Sequence, residues 1–256
     1  MTTKKAPIVM VHGAFCGGWA FDQFRKPFED QGHTVLTPDL RGHGTDDGPL
    51  AVTGVSMTDY VRDIAALCSE LDEPPILVGH SMGGLVAQLA ARRARVRALV
   101  LLAPSPPWGV TSSSVEEAAT AFGLHALGPF WMQPVHPDRT LMRTYSLDRM
   151  ESAEQEAVVG RLRPESGLAL WQTLNWWLDA FMTTSLGPGP EVAPSLVIVG
   201  QRDVVHPPST ARMIATRLGA GYHELPGMSH WLPAEAGWQD GTDAVSGWLE
   251  TLTEDA

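Results

Sequence analysis

An apolar run, Ile76-Leu77-Val78, leads straight into Gly79-His80-Ser81-Met82-Gly83-Gly84, and a helix-forming stretch from Leu85 to Ala94 follows at once. Strand, Gly-x-Ser-x-Gly and helix in immediate succession leave the chain little choice of local shape. The turn is so tight that side chains two residues before and two after the serine would collide, which is why glycine stands at 79 and 83. Such a turn lifts the Ser81 hydroxyl above the sheet edge. The helix behind it aims backbone N–H groups at any charge that develops on a bound carbonyl. Gly-x-Ser-x-Gly alone is common by chance, so its weight here comes from context and from partners downstream.

Those partners occur in order. The strand Leu196-Val197-Ile198-Val199 ends in Gly200-Gln201-Arg202-Asp203, which puts an acid in the loop past a strand's carboxyl end. One helix (Ser209 to Leu218) and one strand (Tyr222 to Leu225) later comes Pro226-Gly227-Met228-Ser229-His230. The order Ser81, Asp203, His230 is that of α/β-hydrolases and differs from those of chymotrypsin and subtilisin. Near the N-terminus, Ile8-Val9-Met10-Val11 runs into His12-Gly13-Ala14-Phe15. A strand ending in His-Gly supplies the second oxyanion loop of such a site, with the N–H groups of Ala14 and Met82 as donors. The His12 side chain reads as a structural hydrogen-bonding group.

On these residues the chain resembles an α/β-hydrolase-fold serine hydrolase, carboxylesterase-like, over nearly everything outside residues 104–193. His12-Gly13-Ala14-Phe15-Cys16-Gly17-Gly18-Trp19-Ala20-Phe21, with Gln31-Gly32-His33, resembles the opening of the plant methyl-esterase and hydroxynitrile-lyase branch. Two features depart from that branch. Asp39-Leu40-Arg41-Gly42-His43-Gly44 is similar to the loop of bacterial-type hydrolases, and the middle segment matches no pattern. The lyases carry a catalytic lysine directly after the histidine; Trp231 stands there in this chain, which disfavours lyase chemistry.

The rest of the sequence fits this fold class. The apolar runs at 7–11, 34–38, 75–79, 97–103, 195–200 and 222–225 read as six strands buried on both faces of a mostly parallel sheet, with helices on both sides. Trp19 to Gln31 reads as one helix with Phe21, Phe24 and Phe28 on one side, and Asp59 to Leu71 as another, stopped by Pro74. The expected organisation is a core of residues 1–103 and 194–256, with a helical cap at 104–193 bounded by Pro104-Ser105-Pro106-Pro107 and Gly187-Pro188-Gly189-Pro190. Trp108, Phe122, Phe130, Trp131, Met132, Met142, Trp171, Trp176, Trp177, Phe181 and Met182 give that cap a surplus of aromatic and methionine side chains. Most should hold cap to core, and a minority should line an apolar pocket. Phe15, Trp108, Phe130, Trp131, Trp176, Trp177 and Trp231 are the candidate substrate contacts.

A net charge of −11 argues against a nucleic-acid or anionic-membrane surface. Two cysteines, Cys16 and Cys68, have no metal or redox spacing and suit a reducing, cytoplasmic compartment. Met1 to Pro7 is too short and polar for a signal peptide, and no apolar run reaches membrane-spanning length. No cofactor or metal is expected, because a serine–histidine–acid mechanism needs none. The expected partner is a small or medium apolar ester. Lactone, thioester and carbon–carbon cleavage share this machinery, and a ligand receptor with negligible turnover is a different class built on the same scaffold.

Overall fold

The computed structural model describes residues 5–126, 128–187 and 193–254. The central strands are β1 (Ile8–Val11), β2 (Val35–Leu36), β3 (Ile76–His80) and β4 (Ala98–Leu102). After them come β5 (Pro134–Val135) and β6 (Glu165–Ser166), a separate antiparallel pair, and then β7 (Ser195–Gly200) and β8 (Gly221–Leu225). The six-stranded sheet runs β2-β1-β3-β4-β7-β8, and every pairing in it is parallel. All six strands expected from the apolar runs are present.

Successive side chains of a strand point to opposite faces, and the core divides accordingly. Ile8, Met10, Ile76, Val78, Val100, Leu102 and Ile198 pack on one side with Phe21, Phe24, Phe28 and Val245. Val9, Val11, Leu77, Leu99, Leu101, Val197 and Val199 pack on the other, against Tyr60, Ile64, Leu85, Ala211 and Ile214. Both faces must therefore be apolar, and that is why these strands read as continuous runs.

The helices of the first half are α1 (Lys26–Asp30), α2 (Met57–Glu70) and α3 (Met82–Ala90). The expected helix over 19–31 is broken. A 3-10 turn spans Gly18–Phe21, and α1 begins only at Lys26 with Pro27 in its first turn. Proline has no N–H to give the Gln23 carbonyl, so a continuous helix is interrupted there. The three phenylalanines still share one side of the core. Helix α2 begins at a full capping box, in which the Ser56 side chain accepts from Asp59 N–H and the Asp59 carboxylate accepts from Ser56 N–H.

Between β4 and β7 lies an insert carrying α4 (Val115–Ala126), α5 (Arg139–Leu141), a π-helical turn at Met142–Ser146, α6 (Ser152–Arg161) and α7 (Gly167–Leu174). The β5–β6 ribbon ties it together; with two residues per strand, it is too short to leave a period in the sequence. Part of the expected second junction, Pro188 to Pro190, lies outside the described residues. The chain re-enters the core at β7, continues through α8 (Pro208–Leu218) and β8, and closes with α9 (Trp238–Glu254). Among the described residues, no helix is long and apolar enough to cross a membrane.

In register, Val11 pairs with Gly79, His80 with Leu102 and Gly200 with Leu225. The carboxyl ends of β1, β3, β7 and β8 thus meet at one edge of the sheet. That edge is where an open α/β sheet presents its ligand crevice.

Candidate active site

Ser81 sits between β3 and α3 with φ 54° and ψ −124°. A non-glycine residue holds such a conformation only when its surroundings enforce it, at a cost of about 1–3 kcal/mol. Two hydrogen bonds supply the enforcement: Ser81 N–H donates to the Leu102 carbonyl at 3.0 Å, and the Ser81 carbonyl accepts from Ser105 N–H at 3.0 Å. The flanking glycines are needed for different reasons. A Cβ on Gly79 would lie 2.4 Å from the Gly83 carbonyl oxygen, the collision within the turn foreseen from sequence. A Cβ on Gly83 would instead strike strand β1, at 2.2 Å from the His12 oxygen and 2.3 Å from that of Val11.

Asp203 and His230 arrive on the loops after β7 and β8. Asp203 Oδ1 accepts from the N–H groups of Val205 and His206, both at 2.8 Å, and fixes the loop. Its Oδ2 lies 2.9 Å from His230 Nδ1, and His230 Nε2 lies 3.1 Å from Ser81 Oγ. A carboxylate accepts, so His230 carries its proton on Nδ1 and turns an accepting Nε2 toward the serine. The His230 loop is seated close against the end of β7. A Cβ on Gly200 would fall 2.1 Å from the Ser229 oxygen, and Arg202 N–H donates to the Met228 carbonyl at 2.8 Å.

Burial sets the charges. It pushes the His230 imidazole down to about 4, so the ring is neutral near pH 7. It pushes the Asp203 carboxyl up to about 7, against the pull of the His206 charge and of the Val205 and His206 N–H bonds. Those donors, with His230 Nδ1–H, favour the ionised carboxylate, which is the form the hydrogen-bond pattern requires.

Two further histidines face this triplet. His80 Nε2 donates to the His230 carbonyl at 2.8 Å and so braces the backbone of that loop. His206 is buried with its ring centre 5.1 Å from that of His230. It donates from Nδ1 to the Ala103 carbonyl at 2.8 Å and takes the Ser105 hydroxyl at 3.2 Å on Nε2. His12 is a strut, as its sequence position suggested. Its Nδ1–H reaches the Gly13 carbonyl at 2.8 Å, and its Nε2 accepts from Leu40 N–H at 3.0 Å. Asp39 spends Oδ1 on Gly18 N–H at 2.7 Å, away from His230.

The loop Gly13–Phe15 passes directly over the serine, close enough that a Cβ on Gly13 would touch Ser81 Cβ at 3.0 Å. Met82 is the first residue of α3, so its N–H has no partner within the helix. Ala14 and Met82 both border a cavity of about 1190 Å³ between the sheet edge and the insert. Ser81 and His230 also line it, and the wall is mainly apolar: Phe15, Leu124, Phe130, Val135, Met142, Leu170 and Trp231 contribute.

Of the candidate substrate contacts, Phe15, Phe130 and Trp231 line this cavity. Trp108, Trp131, Trp176 and Trp177 do not, which corrects the expectation for those four. Trp108 packs edge-on against Trp176, and Trp176 against Trp177, at ring-centre distances of 5.5 and 6.0 Å. Trp131 packs between Phe130 and Trp171. They face their neighbours or solvent, Trp177 being 59% exposed. Sequence reasoning also missed Glu165, a fully buried carboxylate of the insert that reaches the loop after β1 at Phe15 N–H. A lone acid in Arg163-Pro164-Glu165-Ser166 gives no local signal of burial. Cys16 and Cys68 are free thiols, both buried, and burial raises Cys68 to about 11. Among the described residues, no cluster of histidine, cysteine and acid side chains could hold a metal ion.

The chain is similar to several known proteins. A protein from Nocardioides sp. (strain SG-4G) named carbendazim hydrolyzing esterase is 39% identical over 101 residues, 38% of this chain and 41% of that protein. Salicylic acid-binding protein 2 of Nicotiana tabacum is 37% identical over 110 residues, covering 41% of this chain and 42% of its own length. The chain thus spans about two fifths of the length of these curated relatives. The crystal structure of methylesterase MES16 from Arabidopsis superposes with a TM-score of 0.72 over 98% of this chain and 100% of that one. At 19% identity, that likeness speaks for the fold alone. Residues 8–243 match the model of the alpha/beta hydrolase family, and with the parallel sheet and the serine turn after β3, the chain belongs to that family.

Proposed function

We propose that this chain is a serine hydrolase that cleaves carboxylic esters of small to medium apolar substrates through an acyl-enzyme on Ser81. The observation that carries the reading is the unbroken relay Asp203–His230–Ser81, at 2.9 and 3.1 Å, opening into a mainly apolar cavity. In this reading His230 takes the Ser81 proton as the hydroxyl attacks the ester carbonyl, and Asp203 holds the tautomer and stabilises the imidazolium. The N–H groups of Ala14 and Met82 receive the oxyanion, each worth on the order of 3 kcal/mol in the transition state. His230 then protonates the leaving alcohol, and water activated by the same ring releases the acid.

Residues 104–193 act as the cap, the core being 1–103 and 194–256. The cap contributes Phe130, Val135, Met142 and Leu170 to the cavity wall, and substrate choice resides there. Glu116, Glu117 and Asp138 also border the cavity, so anionic substrates are disfavoured. The names of the relatives, a carbendazim-hydrolysing esterase and a salicylic acid-binding protein, support both an esterase and a ligand-binding role.

The test is a fluorophosphonate probe with a panel of aryl and alkyl esters, lactones and thioesters. Labelling of Ser81 and ester turnover of roughly 1–1000 per second are the expected results. Saturable ligand binding without turnover would instead favour the receptor class. Preference for a lactone or thioester would keep the triad and change the substrate.

A further inference from the structure

The insert grips the oxyanion loop at Phe15. Phe15 N–H donates to Glu165 Oε2 at 3.3 Å, and the Phe15 carbonyl accepts from Arg163 N–H at 2.9 Å. Phe15 has φ 66°, a left-handed conformation that a phenylalanine keeps only when its neighbours hold it there.

Two peptide planes flank the Ala14 Cα, and each has its own anchor. The Gly13–Ala14 plane, which carries the Ala14 N–H, is held through its carbonyl by His12 Nδ1–H at 2.8 Å. The Ala14–Phe15 plane is held through its N–H by Glu165, and through its carbonyl by the Cys16 thiol at 3.1 Å. One anchor belongs to the core and the other to the insert.

Glu165 is built into place. Its Oε1 accepts from the Tyr60 hydroxyl at 2.6 Å and from Ser166 N–H at 2.7 Å. His43 Nε2 stands 3.1 Å from Oε2, an ionic contact set off the hydrogen-bond line, and both side chains are fully buried. A buried carboxylate surrounded by donors and one basic ring is fixed in position as well as in charge. Burial alone would raise the Glu165 carboxyl; the charge and proximity of His43, with the Tyr60 and Ser166 bonds, hold it below the usual carboxylate range.

Building on the esterase reading above, we propose that Glu165 is a positioning residue for the oxyanion loop: through it, the seated insert sets the aim of the Ala14 N–H. Oxyanion donors act only where the transition state places its charge, so a rotation of the Ala14–Phe15 plane that is passed through the Ala14 Cα to the plane carrying the Ala14 N–H costs turnover rather than substrate affinity.

The test compares Glu165→Ala, Glu165→Gln and Tyr60→Phe by kcat, KM, melting temperature and affinity for a boronic acid that forms a tetrahedral adduct on Ser81. Glu165→Ala should lower kcat by about 10²-fold, with KM within about threefold and boronate affinity falling in parallel. Glu165→Gln keeps the side-chain shape, and its NH₂ must face either Phe15 N–H or Ser166 N–H, so it should lose a smaller part of kcat. This variant preserves the test if the alanine protein fails to fold. Tyr60→Phe removes a donor from the other oxygen and leaves the Phe15 bond, so it should lower the melting temperature with kcat within about threefold. Unchanged kcat in both Glu165 variants overturns the proposal. A Tyr60→Phe loss of kcat equal to that of Glu165→Gln also overturns it, since generic loosening would then be the cause. Absence of ester turnover and of fluorophosphonate labelling in the unaltered protein would remove the esterase reading itself, and is read separately on that protein.

Discussion

Asp203 meets His230 with the one carboxylate oxygen that its own loop leaves free. Oδ1 is committed to Val205 and His206 N–H, and Oδ2 lies 2.9 Å from His230 Nδ1. Asp203→Asn should keep the loop, because the amide oxygen can replace Oδ1. Its NH₂ would then face Nδ1 and drive the histidine proton to Nε2, leaving no acceptor for the Ser81 hydroxyl. We expect kcat to fall by about 10³- to 10⁴-fold with little change in melting temperature. Activity within tenfold of the unaltered protein would call for another acid; Asp39, engaged with Gly18, is badly placed for it, and Asp148, whose charge acts on His230, is the first to test.

Ser81→Ala should abolish fluorophosphonate labelling and lower turnover by several orders of magnitude. Adding Asp203→Asn and His230→Ala to it should cost little more, because the three groups act as a unit. Mass spectrometry of the labelled peptide decides the first point. A label on any other serine would refute the assignment.

The pH profile of kcat/KM follows from the burial of His230. Only the neutral ring can accept the serine proton, so activity rises with pH as the ring deprotonates. Burial lowers this imidazole from 6.5 to about 4. With Asp203 kept ionised by its N–H donors, the acidic limb should therefore fall below pH 6.5; protonation of Asp203, which burial pushes up to about 7, would instead put it near neutral pH. A limb centred at or above 6.5 would show that the Asp203 charge outweighs desolvation in the free enzyme, or that Asp203 itself is protonated there.

The reach of sequence reasoning differs between the two halves of the site. Ser81, Asp203 and His230 each follow an apolar strand, and a parallel sheet brings the ends of such strands to one edge, so order and context sufficed to bring them together. Ala14, which follows β1, borders the same cavity by the same logic. The cap aromatics have no such frame. Which of Phe130, Trp131, Trp176 and Trp177 turns toward the cavity depends on short 3-10 turns at Phe130–Met132 and Trp176–Leu178, where no steady period links sequence to facing. Glu165 was hidden for a related reason: its partners Tyr60, His43 and Phe15 lie more than 100 positions away in the chain. Only the fold makes its burial tolerable.

The His43–Glu165 pair predicts a stability window. His43 is raised above its ordinary 6.5, with the Glu165 charge and contact outweighing the downward push of burial. Its contribution is complete below about pH 6.5 and is lost as pH rises through the folded value. Glu165 is held below 4.5, so its contribution is present above about pH 4.5 and is lost as pH falls through its folded value. Both are present together between about pH 4.5 and 6.5. The melting-temperature difference between the unaltered protein and Glu165→Gln should be largest in that window, by a few degrees, and shrink on both sides. Thermal melts across pH 4 to 9 test it, and a difference that does not vary with pH would show that the pair is not ionised.

Cavity lining and packing separate the candidate aromatics into two testable groups. Phe130 is fully buried and borders the cavity, and Trp231 closes it beside His230. Replacing either by Ala should shift chain-length preference toward larger acyl groups, because the removed volume opens directly onto the substrate. Trp108→Ala should lower stability by loss of its packing on Trp176 and leave specificity alone, and Trp177→Ala, at a largely exposed position, should change neither by much. In the unaltered protein, each added methylene that is buried should improve transition-state binding by about 0.8 kcal/mol until the wall is reached. A series of aryl esters from acetate upward should therefore show kcat/KM climbing and then falling, with charged acyl groups poor throughout. A flat profile that neither Phe130→Ala nor Trp231→Ala alters would remove the cavity wall from the account of selectivity. A specificity change in Trp108→Ala would return that residue to the substrate's surroundings.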